Sequence, residues 1–516
     1  MKKRLTMLLL CLAGYAAVLL LLVLFERQSA QSGIRTLGDA LWYSLVTMTT
    51  VGYGDLYPVS PAGRIIGLLF VLLSLGTLAG ILGIALTLTR SQLLPRLRIS
   101  WLRSRHCLLF SEVNACALAL ARDLQKQDPG ASIIFCHSEG QETPLPASRR
   151  VVHFTADVTS IAPRVVRDDT SVFLTGEDIP ENYAAAKALS ALPGTVYCRA
   201  PETDALPGVH FFDLNDCTAR LYWQTYPLKT EEKTVLLIGW GRLARAMLDQ
   251  SVASNCFAPF RYAACHLFGD WAQYRLDHPA LLRLFAQEEK ADQDALIFHD
   301  EPWNADPALL EKADRIIFCW DSADRNLDEA LRLCRWFPVS AAVYAAAPMA
   351  PAPIVAFGRQ DEVCTGDMIT GGALDRRARA LHALYGRMTG DTQSWETLSP
   401  FLKASNRASA DHLLTKLRIL LPEQDVRTIT PEVCRQAATR WQGMDDPERC
   451  RRCEHERWMR FYALYNWRQG PAKDAARRIH PCLVPYEALT QEDREKDDNA
   501  WLQIGLLGEE KEGTAE

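Results

Sequence analysis

The sequence predicts three kinds of structure in one chain. A membrane α-helical portion, with two spanning helices and a short re-entrant helix, is followed by two α/β domains of Rossmann type and then by a helical module. Three observations predict this order. Apolar residues are concentrated in the first ninety positions, although the 516-residue chain is only 48% hydrophobic and 23% charged overall. From His106 short apolar runs alternate with helical ones, and the pattern restarts at Lys233. After Ala378 the chain becomes helical and rich in aromatic residues. Length alone argues for three or four domains, because a single core stops growing near about 250–300 residues.

The charge balance sets limits on partners. A net charge of -5 gives no general polyanion-binding signature. There is no Lys/Arg-rich arm and no stacked-aromatic groove, so nucleic acid is not an expected partner. The 15 cysteines are scattered, and Cys136, Cys198, Cys265 and Cys319 sit in apolar, strand-like runs. That is the pattern of buried thiols in a reducing compartment, and no structural disulfide is expected.

Leu5 to Phe25 is almost wholly apolar. At about 1.5 Å per residue it matches the ~30 Å hydrocarbon thickness of a bilayer. Lys2, Lys3 and Arg4 precede it and hold the N-terminus in the cytoplasm. The run is longer than the ~7–15 residues of a signal-peptide core, and a second span follows. That second span runs from about Ile65 to Thr89, with Arg90, Arg96, Arg98, Arg103 and Arg105 behind it. Both basic clusters fall on one side, which makes residues 26–64 an outward-facing loop. Residues 1–90 are thus one membrane domain and 91–105 a linker.

The loop between the spans carries the most specific signal. Thr36 to Thr50 reads as a short amphipathic helix, and it runs into Thr50-Val51-Gly52-Tyr53-Gly54-Asp55. Over residues 5–90 the sequence resembles the potassium channel pore family, in particular its two-helix members. The chemistry fits these residue types. A dehydrated K⁺ needs oxygens in place of its water shell, and the carbonyls of Thr50, Val51, Gly52 and Tyr53, with the Thr50 hydroxyl, can supply them. Successive carbonyls must point to one axis, a backbone open to glycine and costly for most residues. One chain forms one wall of the cage, so a homotetramer in membrane lipid is expected. The short helix would aim its negative C-terminal end at the cavity. The resemblance further implies that Trp42 and Tyr43 form an aromatic cuff and that Asp55 bonds to the Trp42 indole. Some relatives carry a pore-helix glutamate where this chain has Val46. Gly76 and Gly80, with Gly83 beyond them, read either as a gating hinge or as a close-packing motif.

Six candidate strands follow: His106–Phe110, Ser132–Cys136, Val151–Phe154, Ser171–Thr175, Thr195–Arg199 and Val209–Phe212. Five more follow the restart: Thr234–Ile238, Tyr262–His266, Ala295–His299, Arg315–Cys319 and Ala342–Ala346. Strand–helix alternation at this spacing argues for parallel sheets with crossover helices. The two Rossmann-like domains are placed at 106–228 and 229–376. Behind a two-helix pore, this order resembles the gating-ring channels with tandem RCK or TrkA-N-like domains. The second domain has Gly239-Trp240-Gly241-Arg242-Leu243-Ala244 between strand and helix, which fits the G-x-G-x-x-A phosphate turn. Gly239, Gly241, Arg242 and Ala244, with His266 at the next strand end, are therefore candidates for a nucleotide or dinucleotide; the alternative is a packing turn. The first domain has Ser111-Glu112-Val113-Asn114-Ala115 instead, and Glu112 would repel a phosphate.

In the last part, Glu454-His455-Glu456-Arg457-Trp458 and His480-Pro481-Cys482-Leu483-Val484-Pro485-Tyr486 resemble the RyR domain, named for ryanodine receptors. The helical RyR-type domain is placed at 377–510, with a disordered tail at 511–516. In relatives such a region can hold an adenine nucleotide. By that resemblance Trp458, Trp467 and Tyr486 would stack on a base and Arg457 would meet phosphate; the alternative is that these aromatics form the module's own core. No metal other than K⁺ is expected, since Cys450 and Cys453 lack a second tight pair of ligands.

The sequence thus predicts a K⁺-selective homotetrameric channel in the cell membrane, multi-pass, with its N-terminus and large C-terminal region in the cytoplasm and of bacterial type. A cytosolic small molecule, expected to be a nucleotide, would gate it. One alternative is a channel opened by a nucleotide second messenger in signalling or defence. Another is a membrane-tethered dinucleotide enzyme, against which no acid–base pair or substrate domain is apparent; the expectation is that the chain is not an enzyme.

Overall fold

A computed structural model describes residues 2–89, 106–137, 150–202, 206–390, 392–424, 426 and 428–509. The expected linker at 91–105 and tail at 511–516 lie outside these residues. The chain forms two compact units. The first holds the N-terminal helices, and residues 152–155 group with it; the second holds the rest of the chain from Ser104.

In the first unit, helix α1 runs over Lys2–Glu26, α2 over Leu37–Met48 and α3 over Pro61–Leu88. Among the described residues no helix is long and apolar enough to cross a membrane; the side chains of residues 1–13 and 73–78 are not among them. Each helix start has a local cause. Thr36 and Asp39 form a reciprocal capping box at α2, with Thr36 N donating to Asp39 at 2.8 Å and Asp39 N to Thr36 Oγ1 at 3.2 Å. Ser60 caps α3 and Pro61 occupies its first position, so α3 begins four residues before the expected Ile65. Leu19, Leu22, Val23, Ile34, Ala40, Ile66 and Phe70 pack between the three helices. Glu26, fully buried, accepts from Val59 N at 2.9 Å, Ser60 N at 3.0 Å and Ser60 Oγ at 2.6 Å. Gly63 leaves the room for this, since a Cβ there would overlap the Glu26 carboxylate.

From Cys107 onward the chain forms two six-stranded sheets whose described pairings are parallel; apart from the edge strand Val151–Thr155 they lie in the second unit. The first has the order β3-β2-β1-β4-β5-β6, with β1 Cys107–Phe110, β2 Ser132–His137, β3 Val151–Thr155, β4 Thr170–Leu174, β5 Thr195–Arg199 and β6 Val209–Phe212. The second runs β12-β11-β10-β7-β8-β9, with β7 Thr234–Ile238, β8 Ala264–Phe268, β9 Ala295–His299, β10 Arg315–Phe318, β11 Ala342–Ala346 and β12 Val355–Phe357. Both have the doubly wound Rossmann order. Two strands differ from expectation. β12 is three residues long and follows a Pro-rich stretch, so no periodicity announces it; it pairs Tyr344–Ala346 with Val355–Phe357. β8 lies two residues later than expected, because Thr234 pairs with Ala264.

The helices Pro400–Leu420 and Glu448–Leu464 pack on the second domain and share one core with it, including Leu237, Met247, Phe257, Phe461 and Trp467. A buried ion network ties the module to the last helix of the first domain. Arg220 donates Nε to Asp411 at 2.7 Å and Nη1 to Asp375 at 2.7 Å. Gln224 and Gln250 also donate to Asp411, each at 2.9 Å. The described cysteines are all free thiols.

Candidate functional site

The filter hexapeptide is held from three directions. The backbone φ is +57° at Thr50, +59° at Gly52 and +73° at Gly54. Positive φ at every second residue reverses the hand of the backbone at each step, which is how successive carbonyls can be turned to one side as an ion cage requires. The carbonyl of Val46, in the last turn of α2, accepts from Val51 N at 3.0 Å and Gly52 N at 3.3 Å. Val46 thus anchors the filter through its backbone, a role that side-chain reading misses. Trp42 Nε1 donates to Asp55 Oδ2 at 2.9 Å, and the Trp42 ring stacks on Tyr53 with centroids 6.2 Å apart and planes 5° apart. Tyr43 instead turns inward against Phe70. Trp42, Val51 and Tyr53 remain exposed in the single chain. Gly76 and Gly80 lie within α3, but their surroundings fall outside the described residues.

The glycine turn of the second domain has the expected strand–turn–helix setting but is already filled. Gly239 and Gly241 have φ of +144° and +117°. The N–H groups of Arg242 and Leu243, at the start of helix Arg242–Ser254, donate to the Asp321 carboxylate at 3.2 and 3.0 Å. A Cβ on Gly241 would overlap that carboxylate. Asp321 therefore stands where a phosphate would sit, and an incoming phosphate would have to displace it. Ala244 is buried in the core behind the turn. Asp321→Ala should cost about 1 kcal/mol, the usual loss on removing a helix-start acceptor, measured as a lower thermal midpoint of the second unit.

His266 is not at the strand end. The later register of β8 puts it mid-strand and buried, with Nδ1 2.9 Å from His299 Nε2. Burial first, then the neighbouring His299, pulls its pKa down to about 4, so it is a neutral core residue. In the first domain Asn114 caps its own helix, accepting from Ala117 N at 2.8 Å. Glu112 takes a hydrogen bond from the Asn114 amide at 3.1 Å. Both Rossmann helix starts are thus satisfied from within the chain.

The four candidates of the C-terminal module are core residues and do not form a cleft. Arg457 is 3% exposed and grips Glu454, with Nη2 2.6 Å from Oε1. Lys416 Nζ meets the other Glu454 oxygen at 2.8 Å. Trp467 stacks on Phe401, and Trp458 packs on Tyr462 and His480. Tyr486 is buried between the guanidiniums of Arg452 and Arg494. The rings of Phe401, Trp458, Tyr462 and Trp467 pack on one another and on the second domain as part of one core, with Trp458 partly buried at its edge. Cys450 and Cys453 are buried in separate packing contacts, and among the described residues no cluster could hold a metal ion.

Comparison with known proteins separates the chain into parts. Residues 5–91 match the family described as "Ion channel", and residues 447–504 match the RyR domain. A voltage-gated potassium channel of Aeropyrum pernix is 41% identical over 58 residues, which is 11% of this chain and 20% of that protein. The potassium voltage-gated channel subfamily A member 6 of Homo sapiens is 51% identical over 61 residues, 12% of this chain and 10% of that protein. The chain therefore spans a fifth or less of the length of these curated relatives. Among solved structures, one described as the GsuK channel bound to NAD is 13% identical and covers 75% of this chain and 86% of its own, with a TM-score of 0.33. Another, GsuK bound to ADP, is 15% identical over 71% of this chain and 97% of its own, with a TM-score of 0.32. The N-terminal segment thus matches an ion-channel family and resembles potassium-channel pores, the C-terminal segment matches the RyR domain, and two Rossmann-like sheets lie between them in sequence.

Proposed function

We propose that four copies of this chain form a K⁺-selective pore across the cell membrane, and that a cytosolic small molecule sets its conductance through the C-terminal region. In this reading the chain is a gate and not an enzyme. The observation that carries it is the alternating left-handed backbone of Thr50, Gly52 and Gly54 inside TVGYGD, braced by Trp42, Asp55 and the Val46 carbonyl. Only a closed ring of such walls replaces the hydration shell of an ion on an axis. The membrane placement is supported by the 25 residues of α1 and the 28 residues of α3, about 37 and 42 Å of helix. It is supported also by outward-facing Leu20, Leu24, Ile65, Leu68 and Leu72. These exposed apolar faces need lipid or further subunits to cover them.

The test is current across a planar bilayer holding the purified protein under opposed K⁺ and Na⁺ gradients. The reversal potential should follow the K⁺ gradient. A reversal potential set equally by Na⁺ would end the reading. Gating requires that the ligand bind open and closed forms unequally. With both Rossmann helix starts filled from within, the ligand must act elsewhere in the second unit or displace Asp321.

A further inference from the structure

The second unit encloses a cavity of about 730 Å³ where its three parts meet. The first domain contributes β6 and helix Leu214–Thr225, the second contributes helix Arg242–Ser254, and the C-terminal module contributes helix Pro400–Leu420 and Tyr465. This is the size of a small-molecule pocket, and it joins elements whose relative positions a ligand could fix.

The charges around it are unevenly matched. On the module side the cations already have partners. Lys403 Nζ is 2.7 Å from Glu202, Arg407 Nη2 is 2.6 Å from Asp375, and Arg379 Nη1 is 2.8 Å from Glu396. Arg220 is held by Asp411 and Asp375, and exposed Arg478 donates to the Tyr465 carbonyl. On the facing side the carboxylates do not. Asp216 makes no ion pair or side-chain hydrogen bond among the described residues, although it faces the cavity. Among the described residues Asp249 accepts only from the neutral Tyr274 hydroxyl, at 2.6 Å. Phe401 and Tyr465 supply aromatic surface to the same space, their rings 5.2 Å apart.

We propose that this cavity binds a small organic cation, with its ammonium group at Asp216 and Asp249 and an aromatic or apolar body against Phe401 and Tyr465. A charge-assisted hydrogen bond to an unpaired carboxylate is the strong contact such a site offers, and aromatic faces favour the carbon skeleton next to a cation. A metal ion fits less well, since among the described residues no three metal-ligating side chains converge. An anion would compete with the carboxylates that already hold Lys403, Arg407 and Arg220 and would be repelled by Asp216 and Asp249.

The electrostatics give the site a pH signature. Asp216 stays open to the water of the cavity, but the density of protein around it, then the carboxylates of Asp213 and Asp249, push its carboxyl up to about 7, while Arg220 and Arg407 oppose them. Tyr465 stands near both acids, and burial holds its hydroxyl protonated, at about 12. His278 lies beside Asp249. An ammonium ligand needs Asp216 ionised, so affinity rises as pH passes upward through about 7 and a proton leaves on binding below it.

The experiment is calorimetric titration of the full-length protein in lipid nanodiscs with phenethylamine and with its neutral analogue 2-phenylethanol. Phenethylamine should bind, more tightly at about pH 8 than at about pH 6, and 2-phenylethanol about tenfold or more weakly. Asp216→Asn and, separately, Asp249→Asn should each weaken phenethylamine about tenfold or more. Asp216→Asn should not lower the thermal midpoint, since it breaks no contact and removes a carboxylate whose ionised form the fold disfavours. Equal binding of the neutral analogue, affinity indifferent to both variants, or no binding of phenethylamine would each overturn the site. That the pore senses this site rests on the gating proposed above. Amine binding without any change in current would sink that gating while the site stands; current that answers another ligand, with no amine bound, would do the reverse.

Discussion

Gly52→Ala should abolish the K⁺-selective current proposed above while the purified protein keeps its assembly and its folded second unit. A Cβ at Gly52 meets no atom within 4 Å in the single chain, so crowding there is not the cause. The cause is the backbone, held at φ +59°. A left-handed conformation costs an alanine about 1–2 kcal/mol, and in a tetramer it is incurred at four positions on one axis, about 4–8 kcal/mol together. Relaxing toward ordinary backbone removes the cost but rotates a carbonyl off the axis, and the ion loses a layer of oxygens. Thr50 bears the same strain at φ +57°, but there the adjoining Val51 N is pinned to the Val46 carbonyl. Bilayer recordings of the variant, with size measured in parallel, decide the matter. Selective current of normal size in Gly52→Ala would show that the filter does not work through this geometry.

Glu454→Gln should destabilise the second unit by about 3–5 kcal/mol, the usual loss when one member of a buried charge cluster is removed. Glu454 is 5% exposed and faces two cations, Arg457 at 2.6 Å and Lys416 at 2.8 Å. Glutamine would leave two buried positive charges with no counter-charge. Although burial opposes ionisation, these cations hold the Glu454 carboxyl far below the usual carboxylate range. A depressed carboxylate contributes its full stability above its unfolded pKa and loses it only as pH falls through the folded one. The wild-type contribution is therefore complete at neutral pH and fades only in strong acid, while the variant's deficit is largest near pH 7. Denaturant unfolding across that range measures both. A loss under about 1 kcal/mol at pH 7 would mean that water reaches the cluster and screens it.

How much of this was legible in the sequence depends on the range of the interaction. Ten of the twelve strands stand within a residue or so of expectation, because a buried parallel strand is a short apolar run whose cause lies in its own side chains. β12 has only Val355-Ala356-Phe357 beside prolines, and it exists because β11 offers an edge. The filter was legible for the same local reason, since TVGYGD carries its geometry in its own backbone. The Gly239–Ala244 turn was read correctly as a glycine turn between strand and helix, but its occupant, Asp321, lies some eighty residues onward, and no local pattern connects the two. Likewise, Arg457 and Tyr486 look like ligand groups in a motif and prove to be core only once Lys416 and the arginines around them are placed. The cavity is the extreme case. Asp216, Asp249, Phe401 and Tyr465 come from four separate stretches, and none belongs to a recognisable motif.

The Glu26 carboxylate clasps the backbone at Val59 and Ser60, so the end of α1 and the beginning of α3 are riveted together. A rivet at one extremity makes a fulcrum. If the proposed pore opens, the two helices would part at their far extremities, and a turning force at the Leu88 end would act with the leverage of the whole 28-residue rod. In the proposed channel such a rivet would keep movement away from the TVGYGD segment and leave the opposite mouth as the part free to widen or narrow.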